Sequence, residues 1–484
     1  MGHYPIKCIR CSHIMSNETV LFDTQDAGLK MTEMLNADRG EAVQRDFAPE
    51  APVEAAPTAA RSIWDDDDDD DFGESAQAGQ SVSTLSRFMT LSAIHKFCET
   101  NQLDPCEPKW QQIYVTPDFR TDDPSDLLVG VTFQKEKGGS KVYASRRFCP
   151  VCGCELPQLS GSMPTYNLTV MGTSSSGKTV YLCALNWLLS QSEGRLPYNA
   201  NITCVSANKA NNDLVNRSRA LFTQGLLPGT TQIVLTEPLT IQMTFRSGDQ
   251  IKKCLVAMAD MRGEDLVAQD GENLIMKGDY FSRADGFMLL VSPMNMPYIK
   301  SLLPESGVDA ADVNVHQTLM SNINEYILPF FANGVIGAPC AIMMSKSDIL
   351  MQNAGRLGIP LSNAVVAAEP QYRYTGTYFQ NQDRGTRTIV NCDTPLYHFL
   401  KNAFSRSYFT SFSSLGNNVS IGEDERGNQR VQNPHLLHPI RVVDPIIYLL
   451  MSLGFLPPYY QMEAGPQYAR ANEEILVKWM QEHL

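Results

Sequence analysis

From residue 164 onward, short apolar runs alternate with amphipathic stretches, and that rhythm predicts strands and helices in turn. Tyr166-Asn-Leu-Thr-Val-Met171 follows the period of two that a strand requires, and Val180–Leu189 is an apolar run long enough for a buried helix. Val234–Phe245 and Ile251–Ala259 read as neighbouring strands. Gly286–Val291 and Ala338–Met344 are continuous apolar runs, the pattern of strands buried on both faces, and Tyr408–Ser413 ends the series. Val315, Leu319, Ile323, Tyr326 and Ile327 mark one helical face. Asp444-Pro445 predicts a helix start, with the aspartate as N-cap and the proline in the first turn. Ile446, Leu449, Leu450 and Leu453 line that helix, and Gly454 closes it. Together these elements predict an α/β fold: a mostly parallel sheet flanked by helices, with any ligand beyond the carboxyl ends of the strands.

Between the first strand and its helix lies Gly172-Thr-Ser-Ser-Ser-Gly-Lys-Thr179, which fits G-x-x-x-x-G-K-[ST]. The spacing has a physical cause. Gly172 and Gly177 let the backbone curl so that N–H groups of Ser174, Ser175, Ser176, Gly177, Lys178, Thr179 and Val180 turn inward on phosphates. Lys178 supplies a point charge, the Thr179 hydroxyl can ligate Mg2+, and the helix N-terminus favours an anion. Three further segments follow predicted strands. Asp260-Met-Arg-Gly263 fits D-x-x-G, with Asp260 toward Mg2+ and the Gly263 N–H toward a γ-phosphate. Ser345-Lys-Ser-Asp348 resembles [NTS]-K-x-D. There Asp348 can accept two hydrogen bonds from guanine, an arrangement adenine leaves unpaired, while the Lys346 stem lies over the base. Ser411–Gly416 supplies small residues, Ser413 and Ser414 among them, to back the base. Thr231, narrowly ahead of Thr230, is the candidate for the loop that touches both Mg2+ and the γ-phosphate.

In this order the segments resemble a TRAFAC-class P-loop GTPase over residues 164–455. Within that class the layout is similar to the double-GTPase family associated with bacterial conflict systems. The resemblance implies a GTP-binding conformational switch that turns GTP into GDP and phosphate and works with protein effectors or GTPase-activating-like partners. Glu264 stands where Ras-like members carry a glutamine that orients the attacking water. A carboxylate can position water, but its charge opposes the anionic transition state, so hydrolysis is expected to be slow and helped by a partner's cation or by Arg262. The alternatives are a scaffold that binds GTP without hydrolysing it, and an ATP-dependent P-loop enzyme in which Ser345–Asp348 is accidental.

The remainder of the chain is organised differently. Cys8-Ile-Arg-Cys11 and Cys149-Pro-Val-Cys152 are two C-x-x-C pairs, and two such knuckles make a tetrahedral structural Zn2+ site. Their separation is far longer than in simple zinc ribbons. Two thiol pairs without a shared metal, or substitution by His13, Cys98, Cys106 or Cys154, therefore stay open. Residues 1–20 form the first half of this module. Residues 21–85 are an acidic, Ala/Pro-rich linker expected to be disordered, and 86–160 an accessory segment ending in the second knuckle. Residues 161–456 form the GTPase domain, with an insertion at about 349–405, and 457–484 a helical extension. In the accessory segment, Phe88–Thr100 predicts a helix and Leu127–Phe133 a strand. The insertion carries Tyr372, Arg373, Tyr374 and Tyr378, residues suited to a partner surface.

Charge and composition narrow the function classes. A net charge of −14 argues against a general nucleic-acid binder, and seven of those charges lie in Asp65–Asp71, a solvated spacer or a docking tag for a basic partner. No apolar stretch reaches 18 residues, and the N-terminus lacks the apolar core of a signal peptide. A reducing cytoplasmic compartment is therefore expected, where the 12 cysteines act as thiols or metal ligands.

Overall fold

The computed structural model describes residues 3–27, 30–31, 87–100, 113–135, 139–173, 176–191, 195–196, 199–206, 212–228, 238–247, 249–260, 281–303, 315–357, 376–416, 419–424 and 429–456. The chain divides into two compact units, Met1–Thr165 and Tyr166–Leu484.

The first unit is built from short strands: β1 (Ile6–Lys7), β2 (Ile14–Met15), β3 (Leu21–Asp23), β4 (Phe88–Met89), β5 (Tyr114–Phe119), β6 (Leu128–Gln134), β7 (Lys141–Ala144) and β8 (Arg147–Phe148). One helix, α1 (Leu91–Thr100), follows β4, so the predicted helix over 88–100 starts three residues later and its first residues are a strand instead. β1 and β2 form a hairpin, β4-β3-β8 a small sheet, and β5-β6-β7 an antiparallel meander. Arg147 staples this unit internally. Its guanidinium is buried and donates to the carbonyls of Leu128 (3.3 Å), Gln158 (2.8 Å) and Ser160 (3.0 Å). A buried cation without a carboxylate costs less when every N–H finds an acceptor. Burial nevertheless pushes its pKa down to about 10.

The second unit is an eight-stranded sheet in the order β10-β11-β12-β13-β9-β14-β15-β16. Its strands are β9 (Thr165–Gly172), β10 (Arg195–Leu196), β11 (Asn199–Ser206), β12 (Leu239–Ser247), β13 (Gln250–Asp260), β14 (Gly286–Val291), β15 (Cys340–Met344) and β16 (Ser407–Ser411). Its helices are α2 (Lys178–Gln191), α3 (Asn212–Gln224), α4 (Pro297–Leu302), α5 (Val315–Tyr326), α6 (Ser347–Gln352), α7 (Ala354–Leu357), α8 (Gly376–Val390), α9 (Thr394–Ala403) and α10 (Asp444–Ser452). The expectation of a mostly parallel sheet needs correcting, because the sheet is mixed. β9, β14, β15 and β16 pair in parallel, whereas β10 to β13 pair antiparallel. The reason is local. Ser247 pairs directly with Gln250, so β12 and β13 are joined by a two-residue connection, which only an antiparallel pair permits.

Two apolar layers enclose the sheet. On one face Leu168 and Val170 of β9 meet Tyr181, Leu182 and Leu185 of α2, Leu221 of α3, and Ile446, Leu449 and Leu450 of α10. On the other, Met171, Phe287, Leu289, Ile342 and Phe409 meet Leu319 and Ile323 of α5 and Leu396 and Leu400 of α9. β14 and β15 are buried at every position, as their unbroken apolar sequence requires. α8 shields the outer edge of β16. The Phe409 N–H donates to Asp383 (2.8 Å), Arg387 donates to the Ser407 carbonyl (3.0 Å), and the Arg387 guanidinium lies 4.4 Å from the Phe409 ring centre. Backbone groups that an edge strand would expose are thereby paired.

Two smaller expectations also change. Asp444 is not the N-cap of α10; Val443 holds that position, and the Asp444 carboxylate accepts the Tyr378 hydroxyl instead. Tyr378 is consequently buried at 8% exposure, which removes it from any partner surface. Tyr372, Arg373 and Tyr374 lie outside the described residues, as do most of 21–85 and all of 457–484. Gly454 closes α10 with φ +76°.

Candidate functional site

Parallel register brings three of the sequence segments to one edge of the sheet. Gly172 pairs with Leu290, Val291 with Met344, and Met344 with Ser411, so β9, β14, β15 and β16 end at one level. The loops beginning there are Thr173–Gly177, Ser292 onward, Ser345–Asp348 and Phe412–Gly416. Sheet order makes this edge a switch point. From β9 the chain crosses to the β10–β13 side, then returns to place β14 on the opposite side of β9. Ligands in open α/β sheets bind at carboxyl ends at such a reversal.

The first loop is shaped by its glycines. A Cβ on Gly172 would come within 2.7 Å of the Leu290 carbonyl oxygen, so β14 fits against β9 only because position 172 lacks a side chain. Gly177 has open space around it but φ +87°, a conformation that disfavours any other residue. α2 starts immediately after, with the Tyr181 N–H on the Gly177 carbonyl at 2.8 Å. Lys178 folds back, its Nζ donating to the carbonyls of Gly172 (3.0 Å) and Thr173 (3.2 Å). Three hydroxyls along this edge, Thr173 Oγ1, Ser176 Oγ and Ser292 Oγ, are buried without a hydrogen-bond partner. Unpaired buried hydroxyls cost free energy, and an edge that collects them beside a lysine is suited to an oxygen-rich ligand.

The second and third loops meet directly. Ser413 Oγ donates to Asp348 Oδ1 at 2.6 Å, and the Gly416 N–H donates to Ser413 Oγ at 2.9 Å. Gly416 has φ +91°, and a Cβ there would lie 2.3 Å from the His438 carbonyl oxygen. Ser413 is held from the other side by a two-way backbone pairing with Ile440, at 3.1 and 2.8 Å. Burial raises the Asp348 pKa, and the hydrogen bond from Ser413 opposes that rise. Lys346 adopts φ +54°, a left-handed backbone that turns the chain from β15 into α6. Ser414, Ser345 and Ser347 are buried beside them. Asp260 ends β13, but its side chain lies outside the described residues, as do Thr230, Thr231, Arg262, Gly263, Glu264, Ser174 and Ser175. Thr179 and Val180 occupy the first turn of α2.

In the first unit the four sequence-marked cysteines converge. Cys8, Cys11, Cys149 and Cys152 have sulfurs within 4.8 Å of one another, with Cys8–Cys152 and Cys11–Cys149 each at 3.6 Å. A tetrahedral Zn2+ with Zn–S of about 2.3 Å sets sulfurs about 3.8 Å apart, so the cluster fits that ion. Each pair sits on its own turn, and the two turns are of one kind. The Cys8 N–H donates to the His13 carbonyl and the Ser12 N–H to that of Cys8; the Cys149 N–H donates to Cys154 and the Gly153 N–H to Cys149. Ser12 (φ +58°) and Gly153 (φ +63°) close the two turns in the left-handed conformation. The Arg10 N–H points at the Cys8 sulfur at 3.3 Å. Hydrogen bonds among the thiols hold Cys149 and Cys152 below, and Cys8 and Cys11 above, the ordinary range. Four adjacent thiols cannot all ionise without a cation to balance them. Neither His13 nor Cys154 belongs to the cluster of four.

Comparison with known proteins places the chain loosely. No protein-family model matches it. It is 25% identical over 335 residues to a Mycolicibacterium smegmatis protein described as "Putative ESX-1 scaffolding and assembly protein SaeC", covering 64% of this chain and 80% of that one. Among solved structures it is similar to Sup35 complexed with GDP, at 10% identity and a TM-score of 0.19, over 55% of this chain and 41% of that one. A score that low carries no weight, and the site must be judged on its own geometry. No helix among the described residues is long and apolar enough to cross a membrane.

Sequence reasoning missed Ser292 and, among the residues that brace the Phe412–Gly416 loop, Ile440 and Tyr181. Gly416 was visible as the end of a small-residue loop. The other three carry no local signal, because their roles depend on which strands become neighbours.

Proposed function

We propose that residues 166–456 bind a guanine nucleotide with Mg2+ and act as a switch of the TRAFAC GTPase type, with slow hydrolysis stimulated by a protein partner. The observation that carries this is the bond from Ser413 to Asp348 on the strand edge that also bears Lys178. It orients a half-buried carboxylate, as reading a base requires, in register with a loop suited to phosphates. The order β12-β13-β9-β14-β15-β16, with the phosphate-loop strand central, supports the same conclusion.

Each residue then has a task. Lys178 exchanges its two carbonyl partners for phosphate oxygens, and the N–H groups of 174–180 line the same anion. Thr179 and Asp260 hold Mg2+, which when bound offsets charge on the phosphates. The Gly263 N–H and Thr231 sense the γ-phosphate, and Glu264 positions water. Asp348 selects guanine, with Lys346 along the base and Ser414 behind it. The four cysteines hold a structural Zn2+ in the other unit. A cytoplasmic location fits these ligands.

The match to SaeC favours a second possibility, a scaffold that binds GTP without turnover. It lends nothing to the narrower likeness to double-GTPase proteins of conflict systems. Single-turnover hydrolysis of labelled GTP separates switch from scaffold: phosphate release that vanishes in Lys178→Ala supports the switch, and GTP retained intact with candidate partners present supports the scaffold. Asp348→Asn is expected to shift preference from GTP toward xanthosine triphosphate by at least about tenfold, the equivalent of one charged hydrogen bond. An unchanged preference would remove Asp348 from base reading.

A further inference from the structure

Tyr181 lies in the first turn of α2, four residues after Gly177, and is fully buried. Two contacts carry it across to the base side. Its ring meets Phe412 edge-on, with centroids 5.0 Å apart and planes at 68°. Its hydroxyl donates to the Val442 carbonyl at 2.8 Å. Burial raises the phenol pKa well above its ordinary value, so the group stays protonated and donates.

Both contacts end on the support of Ser413. Phe412 directly precedes it. Val442 lies two residues beyond Ile440, whose N–H and carbonyl clasp Ser413. Between them, Arg441 takes φ +60° and anchors the segment by donating to the Gln382 side chain at 2.6 Å. A left-handed, non-glycine residue costs free energy and persists because its buried side chain is held in place. The phosphate-loop helix and the base-reading loop are therefore joined through one side chain.

Resting on the guanine-nucleotide reading above, we infer that Tyr181 is a positioning residue that sets the distance between the phosphate loop and the Ser413–Asp348 pair. A nucleotide spans both halves and feels that distance. Pyrophosphate touches the phosphate half alone and does not. Loss of the strut therefore weakens binding of the whole nucleotide selectively, which general destabilisation would not do.

The test is calorimetric binding of GDP and of pyrophosphate to the full-length protein and to Tyr181→Phe, which removes one hydroxyl and keeps the ring. The GDP dissociation constant is expected to rise about fivefold, the effect of one ordinary hydrogen bond, with that of pyrophosphate unchanged. Phe412→Leu, which keeps the hydroxyl bond and removes the ring contact, is expected to show the same selectivity and covers the case in which Tyr181→Phe fails to fold. Equal losses for both ligands, or no loss for GDP, would overturn the strut. A wild-type protein that binds pyrophosphate but not GDP would instead overturn the nucleotide reading, and the strut with it.

Discussion

The cysteine cluster and the strand-edge site solve the same problem, gathering distant residues, by opposite means. In the cluster, each half is complete within a few residues: a C-x-x-C turn closed by Ser12 or Gly153 presents two sulfurs whatever surrounds it. Bringing together cysteines 138 and 144 positions apart in sequence is left to the small sheet around β3 and β8, and the four sulfurs are spaced so that a metal ion could join them. On the strand edge no loop is complete alone. Ser413 meets Asp348, and Lys178 lies on the same sheet edge, only because four parallel strands share a register, so the fold supplies this arrangement by itself. A metal held by the cysteines would therefore be needed to keep that cluster together, whereas the strand-edge arrangement needs no ligand to form.

Metal removal gives the largest expected effect. Structural Zn2+ contributes on the order of 10 kcal/mol in small cysteine-rich domains. A strong chelator, or Cys149→Ser, should leave residues 1–165 open to protease while 166–456 stays protected in the same sample. Uniform protection after proven metal loss would erase the contrast. Next comes Lys178→Ala, expected to weaken GDP binding at least about a hundredfold, in keeping with about 3 kcal/mol for a charged hydrogen-bonding group. Its thermal midpoint should change far less than its affinity, because the Lys178 side chain is only half-buried.

A smaller effect concerns acidity. Burial raises the Asp348 pKa above its ordinary 3.8, so the folded protein holds this proton more tightly than the unfolded chain does. Unliganded stability therefore declines as pH climbs from 3.8 through the raised pKa and is level above it. Guanine binding needs the carboxylate and moves the other way, weakening as pH drops through the same window by up to about tenfold per unit. Titrating GDP affinity in wild type and Asp348→Asn checks this; a slope shared by both would assign the titration elsewhere. A separate effect, read in stability and not in binding, is Tyr378→Phe, which strips a donor from buried Asp444 and should cost about 1–3 kcal/mol in denaturant unfolding. Nucleotide selectivity should be untouched.

Residues that speak locally were legible in the sequence. The run Gly286–Val291 became a strand with the same ends, because unbroken apolar character over six residues leaves few other outcomes. The two cysteine pairs and Gly172 and Gly177 announced their turns by spacing alone. What stayed hidden depends on pairing. β10 and β11 were not anticipated. They form the outer, antiparallel flank of the sheet. The insertion at about 349–405 was marked as a partner surface for its tyrosines and arginines, yet within it Tyr378, Gln382 and Thr386 of α8 are buried. Amphipathic patterning cannot report a helix whose buried face is itself polar. Asp444 looked like a cap because Asp-Pro often is one, and the competing claim of Tyr378 came from 66 residues away.

The central claim is that one strand edge reads both phosphate and guanine. Competition against labelled GDP on the full-length protein tests it most directly. Unlabelled GTP should displace the label while ATP at the same concentration leaves it bound; displacement by ATP with equal potency would contradict the claim.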